Sequence, residues 1–275
     1  MKLPISPRIK WKLYSGYRLC MIPIDWLSLM LGKRDELTPS VGILFLGGGD
    51  FKKIGEEFRN YFIEFCNLKS TDKVLDIGCG MGRMAVPLTK YLNQEGQYCG
   101  FDVFKEGISW CKKNITKQYP NFEFKLVDVF NSEYNPGGKL KGSNFNFPCE
   151  DNYFDFVFAT SVFTHMVPKD LENYISEISH VLNKGGRFFL TFFLLNKDSI
   201  SFIHRKKSKY NFDTNTYTFS TMSKKTPDYI TAYQENFIRN LFIKYGLQIT
   251  EPIKYGSWCG RKSNVSFQDF IIGIK

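Results

Sequence analysis

The sequence lacks the cysteine patterns of disulfide frameworks and of common metal sites. Its seven cysteines are scattered over positions 20, 66, 79, 99, 111, 149 and 259, without a C-x-x-C pair. An odd number of unpaired cysteines argues for reduced thiols and against zinc or iron–sulfur ligation. We therefore expect a cytoplasmic protein that binds no metal.

The sequence also has no apolar run long enough to span a bilayer. The best candidate, Leu19 to Leu31, is short and is interrupted by Pro23 and Asp25. No small-residue cleavage site follows it. We interpret residues 1–47 as an N-terminal extension that packs on the core or caps a site, with a helix lying on a membrane surface as the alternative.

Positive charge is abundant and lies mainly in two segments. The net charge is +10, and residues 1–40 and 196–230 each contain seven Lys or Arg against three Asp or Glu. This distribution fits simple solubility better than a surface for nucleic acid or for an anionic substrate, although both alternatives stay open.

The most informative stretch runs from Val74 to Arg83. A buried-type strand ends at Asp76, a turn with glycine at every second position follows, and a helical run begins at Arg83. Such a turn lets the backbone approach a ligand and points unpaired N–H groups at it. The pattern is G-x-G-x-G rather than the dinucleotide G-x-G-x-x-G, and the carboxylate suits a ligand with a positive charge.

Strand and helix patterns alternate around this turn, which predicts a parallel sheet covered by helices. A helix with one apolar face is expected from Phe51 to about Phe65, capped by Asp50. In two stretches the apolar residues recur with neither a helical nor a strand period. We expect 131–147 to be a loop insertion and 196–230 to be a functional lid or a disordered segment. The other predicted elements are 73–77, 83–92, 97–101, 105–117, 122–127, 154–159, 171–182, 187–193, 238–245, 247–254 and 267–274.

The second and third strands end in acids as well, Asp102 and Asp128. With these acids, the glycine turn and the N-K-G-G-R turn at 183–187, the sequence resembles the class I S-adenosylmethionine-dependent methyltransferases of the small-molecule and sugar type, over roughly residues 48 to 275. The resemblance implies a Rossmann-like α/β fold with a doubly wound seven-stranded sheet, order 3-2-1-4-5-7-6, the last strand antiparallel. It also implies S-adenosyl-L-methionine as cofactor, S-adenosyl-L-homocysteine as product, and an O or N atom of a small molecule, sugar or modified peptide as acceptor.

Ligands of open α/β sheets bind outside the carboxyl ends of the strands, and this rule selects the candidate site. The resemblance implies that Asp102 binds the ribose hydroxyls and that Asp128 and Val129 meet the adenine. Asp76 either meets the methionyl ammonium or orients the turn, and Arg83 either pairs with the cofactor carboxylate or is simply exposed. The cofactor candidates are Asp76, Gly78, Cys79, Gly80, Gly82, Arg83, Asp102, Val103, Asp128, Val129 and Thr160.

His165, which follows the fourth strand, is the best candidate for a general base, because the pKa of histidine suits proton removal at neutral pH. A histidine that caps the next helix, or that is hydrogen-bonded in the core, is an equally good interpretation. His204, in the lid, is a second candidate that can touch substrate. Tyr255, Trp258 and Arg261 lie in a glycine-flanked loop and are candidate acceptor contacts, with hairpin packing as the alternative.

Two other functions stay open beside a small-molecule methyltransferase. The basic segments favour an RNA methyltransferase, but no N/D-P-P-Y/F motif follows the fourth strand, where Ala159-Thr160-Ser161-Val162 stands. A non-catalytic cofactor-binding interaction protein is disfavoured because all three acids are present. We expect no obligatory nucleic-acid partner and no membrane span.

Overall fold

The computed structural model describes residues 48–262 and 264–275, together with 21, 23–24, 26–32, 35–40 and 44. Most of the segment expected to form an N-terminal cap, 1–47, therefore lies outside the described residues. Each helix in the described part of the chain is too short or too polar to cross a membrane.

The strands form one large and one small sheet. In chain order they are Lys73–Ile77 (β1), Gln97–Asp102 (β2), Phe122–Leu126 (β3), Phe154–Ala159 (β4), Leu182–Phe192 (β5), Leu194–Leu195 (β6), Phe219–Thr221 (β7), Thr231–Gln234 (β8), Gln248–Ile249 (β9) and Asp269–Ile274 (β10). The large sheet has the order β3-β2-β1-β4-β5-β10-β9, with β10 antiparallel to both of its neighbours. The predicted fold class and strand order are confirmed, β9 and β10 being the predicted sixth and seventh strands.

The helices follow the predicted order with different bounds, apart from the fifth, which lies in the segment 196–230 where no helix was predicted. They are Phe51–Cys66 (α1), Ala85–Leu88 (α2), Lys105–Cys111 (α3), Pro168–Val181 (α4), Lys197–His204 (α5) and Glu235–Lys244 (α6). Asp50 caps α1 by accepting a hydrogen bond from the Lys53 N–H at 2.9 Å, as predicted. The predicted helix 83–92 is regular only in α2, and the predicted helix 105–117 continues past α3 as a π-helical turn, Lys112–Thr116.

The core lies on both faces of the large sheet. Leu75 and Ile77 of β1 pack on one face, in a cluster that includes residues of α4 and α6. Val74 packs on the other face, in a cluster with residues of α1, α2 and α3. A strand buried on both sides is expected in a parallel sheet covered by helices, so the carboxyl edge of the sheet is where a ligand can approach.

The aperiodic segment 196–230 is folded rather than disordered. It contributes α5 and β7, and β6 and β7 flank β8 in a separate three-stranded sheet. Its apolar side chains pack with residues far along the chain, in a buried cluster of Phe193, Leu195, Ile203, Phe212, Ala232, Trp258 and Cys259. Because these partners are distant in sequence, no local period reveals the structure.

Three other predicted bounds differ from the structure. The sixth strand, expected over 247–254, is regular only at Gln248–Ile249. Pro252, which has no N–H to donate, interrupts it, and Lys254 then forms an isolated bridge with Phe270. The fifth strand begins at Leu182, before the glycines that were expected to form a turn. The loop insertion 131–147 contains a 3₁₀ turn, Gly142–Asn144, and buries Phe145 and Phe147.

Candidate functional site

A cavity of about 1070 Å³ opens at the carboxyl edge of the large sheet. It lies where the loops after β1 and β4 diverge, and these neighbouring strands mark the point at which the strand order reverses. Ligands of doubly wound sheets bind at such a switch point. The volume exceeds the usual range for one small ligand, so it accommodates two small molecules side by side.

The glycine turn forms the floor of the cavity, and Asp102 holds it in place. One oxygen of the Asp102 carboxylate accepts from the Gly80 N–H and the other from the Phe104 N–H, both at 2.7 Å. Gly80 has φ +56°, and a Cβ there would meet no atom within 4 Å, so the backbone faces open space. A Cβ on Gly78, which has φ +75°, would instead overlap the Val162 side chain.

Asp76 is the most buried carboxylate of the site. The Tyr98 hydroxyl donates to Asp76 Oδ2 at 2.5 Å, whereas Asp76 Oδ1 has no hydrogen-bond partner in the described part of the chain. Burial raises the pKa of the Asp76 carboxyl to about 8, against the lowering effect of the Tyr98 hydrogen bond. A buried oxygen left without a donor at a cavity wall is a place for a ligand N–H.

The structure brings most of the cofactor candidates together. The cavity is lined by Asp76, Gly78, Cys79, Gly80, Arg83, Asp102, Val103, Val129 and Thr160. An acid with one unpartnered oxygen, a second acid with free lone pairs and an apolar wall together fit a ligand that carries an ammonium group, vicinal hydroxyls and a flat ring. The residues present therefore fit S-adenosylmethionine.

Two cofactor candidates lie outside the cavity lining. Gly82 is directed at the helices, since a Cβ there would lie 2.8 Å from Ile115 and 2.9 Å from Cys111. Asp128 is exposed and accepts a hydrogen bond from Asn135 Nδ2 at 3.3 Å. Gly82 therefore packs against the helices, and Asp128 hydrogen-bonds within the loop that follows β3.

Arg83 lines the cavity beside the chain that precedes α1. Its Nη1 donates to the Gly48 carbonyl at 3.2 Å, and its guanidinium lies 5.7 Å from the centre of the Phe51 ring. Burial lowers the pKa of the guanidinium. Arg83 is thus oriented by its surroundings rather than being freely solvated.

His165 lines the cavity at the exit of β4, in the 3₁₀ turn Phe163–His165. Its Nδ1 is buried and has no hydrogen-bond partner among the described residues. Burial lowers the pKa of the imidazole, while Glu133 and Asp228 act in the opposite direction. The helix-cap interpretation does not match the structure, because α4 begins at Pro168 with no side chain capping it.

The other predicted catalytic and substrate residues lie outside the cavity. His204 contacts the Thr214 hydroxyl, with Nε2 and Oγ1 2.9 Å apart. The Tyr255 hydroxyl donates to Glu235, and Arg261 donates to Asn196, both at 2.9 Å. These positions correct the expectation that this loop forms a wall for the acceptor.

Trp258 is fully buried because it belongs to a hydrogen-bond cluster around Asp269. Both the Trp258 indole N–H and the Leu194 N–H donate to Asp269 Oδ2 at 2.7 Å, and the Gly256 N–H donates to Oδ1 at the same distance. Burial raises the pKa of Asp269 to about 6, while these donors lower it. Hairpin packing, the alternative interpretation of this loop, is what the structure shows.

Several cavity residues were missed by the sequence interpretation. Phe267 and Gln268 line the cavity just before β10. Because β10 is antiparallel, its beginning lies at the carboxyl edge of the other strands, and this reversal was the signal that could have identified them. Ser161 adopts φ +59° and donates to Gln268 Oε1 at 3.1 Å. The other newly placed residues are Glu57, Phe58, Glu133, Asp170, Phe193, Lys209, Tyr210, Asp228 and Tyr229.

No group of three or more His, Cys, Asp or Glu side chains within the described ranges is arranged to hold a metal ion. The cavity lining includes carboxylates, one imidazole, two basic side chains and aromatic rings.

Comparison with known proteins identifies the family. Residues 68–237 match the family model described as a methyltransferase domain. The chain is 28% identical over 170 residues to a sterol 24-C-methyltransferase of Schizosaccharomyces pombe, which covers 62% of this chain and 40% of that protein. It is 29% identical over 129 residues to a demethylmenaquinone methyltransferase of Staphylococcus saprophyticus, covering 47% and 48%. The chain spans less than half the length of these relatives.

A solved structure shares the fold. The PH0226 protein of Pyrococcus horikoshii superposes with a TM-score of 0.55 at 15% identity, covering 84% of this chain and 94% of that one. At this identity the likeness concerns the fold alone.

Replacing Trp258 tests its structural position. We expect Trp258→Phe to lower the free energy of unfolding by about 1–3 kcal/mol, because the buried Asp269 carboxylate loses one donor. Urea denaturation measures the change. Trp110→Phe, a substitution of the same type outside this cluster, is the control. Equal stability of both variants and the parent would contradict the assigned role of Trp258.

Proposed function

The chain belongs to the class I S-adenosylmethionine-dependent methyltransferase family, and from this membership we propose that it transfers a methyl group to a small molecule bound in the cavity. One observation carries the proposal: the glycine turn, Asp76 with its unpartnered oxygen and Asp102 line one cavity at the switch point of the sheet. Its size supports the presence of a second small molecule beside the cofactor.

The β1–β3 side of the cavity is the proposed cofactor site. Gly78 and Gly80 allow the backbone to approach the ligand, and Asp76 faces the methionyl ammonium through its free oxygen. Asp102 has lone pairs left for the ribose hydroxyls after accepting two N–H groups. Val129 supplies an apolar surface for the adenine.

When bound, the cofactor supplies an activated methyl group on a sulfonium sulfur. The chain then has to align the acceptor and exclude water. His165 stands at the β4 exit with a buried nitrogen that has no donor, and a neutral imidazole there can accept the proton of an acceptor O–H or N–H. An O or N atom is accordingly the proposed methylation site.

We propose residues 48–275 as the methyltransferase domain and 196–230 as its lid, with 1–47 as a cap. Two contacts support a covering role for the lid. Asp228 accepts from the Ser132 N–H at 2.8 Å, which ties the lid to the loop beside Glu133. Lys209, Tyr210 and Tyr229 line the cavity from the lid side.

A carbon acceptor is the second candidate. The relatives' names include a sterol 24-C-methyltransferase, and the aromatic wall formed by Phe193, Tyr210 and Phe267 supports an apolar acceptor. A carbon-13 NMR spectrum of the methylated product separates the two candidates. A methyl group bound to carbon, to oxygen or to nitrogen has a distinct chemical shift.

Because of Asp76, ligand binding at the proposed cofactor site should be linked to the release of a proton. Since burial raises the pKa of Asp76 to about 8, the carboxyl is mainly protonated at pH 7, and an adjacent ammonium favours the ionised form. We expect S-adenosylhomocysteine binding at pH 7 to release a proton, and affinity to rise as the pH approaches 8. Calorimetry in buffers of different ionisation enthalpy measures the release.

The variant Asp76→Asn should abolish the buffer dependence of the binding enthalpy and weaken binding. Asp151→Asn, on the exposed turn before β4, should retain both properties of the parent. A parent protein whose binding enthalpy is the same in every buffer would contradict ionisation of Asp76 on binding.

His165 is tested by label transfer from methyl-labelled S-adenosylmethionine to an acceptor found by screening extracts. Burial lowers the imidazole pKa from its ordinary 6.5, so the neutral base predominates at neutral pH. The kcat/KM profile should rise with pH through a midpoint below that value. We expect His165→Gln to reduce turnover about 100-fold and to remove the rising limb.

His180→Gln, which changes an exposed histidine outside the cavity, should keep the rate and the profile. If His165→Gln retains the rising limb, another group is the base.

A further inference from the structure

The cavity has two halves of different composition, which follow the strand order. The carboxyl ends of β1 and β2 and the residues after β3 bring Asp76, Asp102 and Val129 to one half. Phe193, which follows β5, and Phe267, which precedes β10, belong to the other. In the sheet, β10 is three strands away from β1, a distance of roughly 14 Å at the usual strand spacing. The two halves of the cavity can therefore bind different parts of the ligands.

Three aromatic rings in the second half form what we call the aromatic chamber, which is completed by Lys209. The ring centres of Phe193 and Tyr210 are 5.1 Å apart, and those of Phe193 and Phe267 are 6.0 Å apart at an interplanar angle of 85°. The Tyr210 and Phe267 rings are 6.2 Å apart at 72°. Rings at steep mutual angles offer both faces and edges to a flat ligand, the arrangement that aromatic pairs favour.

Lys209 places a positive charge at the rim of this chamber. Its Nζ lies 4.7 Å from the centre of the Phe267 ring and 5.7 Å from that of Tyr210. In the described part of the chain Lys209 makes no ion pair, and its backbone N–H donates to the Trp258 carbonyl at 3.1 Å. The ammonium is therefore held beside the rings and can pair with an incoming anion.

The cavity lining carries six carboxylates and two basic side chains. The carboxylates are Glu57, Asp76, Asp102, Glu133, Asp170 and Asp228, and within the described residues none of them forms an ion pair with Lys209. Arg83, the other Lys or Arg among the described lining residues, donates to the Gly48 carbonyl. The chamber thus combines a wall of aromatic rings with one cation that makes no ion pair among the described residues.

Resting on the methyl transfer proposed above, we propose that the acceptor is an aromatic molecule with a negatively charged group, its rings held by Phe193, Tyr210 and Phe267 and its anion by Lys209. A hydroxyl or amino group on the opposite side of the ring would then face Ser161 and His165 at the β4 exit.

Binding of matched probes tests this acceptor class without requiring turnover. The probes are 6-hydroxy-2-naphthoate, its neutral amide, its cationic aminomethyl analogue and the non-aromatic 4-hydroxycyclohexanecarboxylate, each titrated calorimetrically with and without S-adenosylhomocysteine. We expect the naphthoate to bind about two- to fivefold tighter than the amide, the upper part of the range of a solvent-exposed ion pair, with a smaller ratio at high salt. The cationic and non-aromatic probes should bind most weakly.

Lys209→Met should bring the ratio of naphthoate to amide affinity close to unity while leaving S-adenosylhomocysteine affinity unchanged. Lys207→Met, an exposed lysine outside the cavity, should keep the ratio of the parent. The proposal is overturned if the parent shows no preference for the anion, prefers the amine, binds none of the probes, or keeps its preference in Lys209→Met. Equal binding of the non-aromatic acid overturns the role of the rings. Failure of S-adenosylhomocysteine alone to bind contradicts the methyltransferase proposal instead.

Discussion

The Asp102 carboxylate, held by two backbone N–H groups, sets the geometry on which the site depends. It accepts from Gly80 in the turn after β1 and from Phe104 at the start of the next helical segment. Strand pairing of β1 with β2 brings these ends together, and the Gly78 and Cys79 N–H groups both donate to the Phe101 carbonyl. The turn is thereby fixed before any ligand arrives, which lowers the entropic cost of binding.

Pre-organisation of this kind has an electrostatic cost at Asp76. Its burial disfavours the charged carboxylate, and Tyr98 satisfies only one of its two oxygens. In a region without function, such a group would be a liability for stability. Beside a cavity, the role proposed for it is to favour a cationic ligand, which would supply the hydrogen-bond donor that Asp76 Oδ1 lacks.

The sequence allowed the sheet to be predicted, and also the residues that line the cavity at the ends of β1 and β2, because their signals are local. The strand that ends in Asp76, the alternate glycines and the acid after β2 each occupy a few consecutive residues. The chamber half could not be predicted in this way, because it is built from long-range contacts such as the pairing of Leu194 with Tyr233.

Asp269 shows most clearly why the remaining residues were misplaced. It stands at the start of an apolar strand, where sequence patterns give no sign that it accepts hydrogen bonds from Leu194, Gly256 and Trp258. Once that cluster is seen, the burial of Trp258 follows, as does the direction of Arg261, 3.5 Å from the same carboxylate. The residues before β10, rather than those after Tyr255, then face the cavity.

Titration of S-adenosylhomocysteine into the parent protein and into Asp102→Ala tests the central claim, that the Asp102-anchored turn is the cofactor site. We expect measurable binding to the parent and a loss of about 1–3 kcal/mol in the variant, since charge-assisted hydrogen bonds disappear. Asp151→Ala, which removes an exposed acid remote from the turn, should bind like the parent. Equal affinities for the parent and Asp102→Ala, or no binding to the parent, would contradict the account.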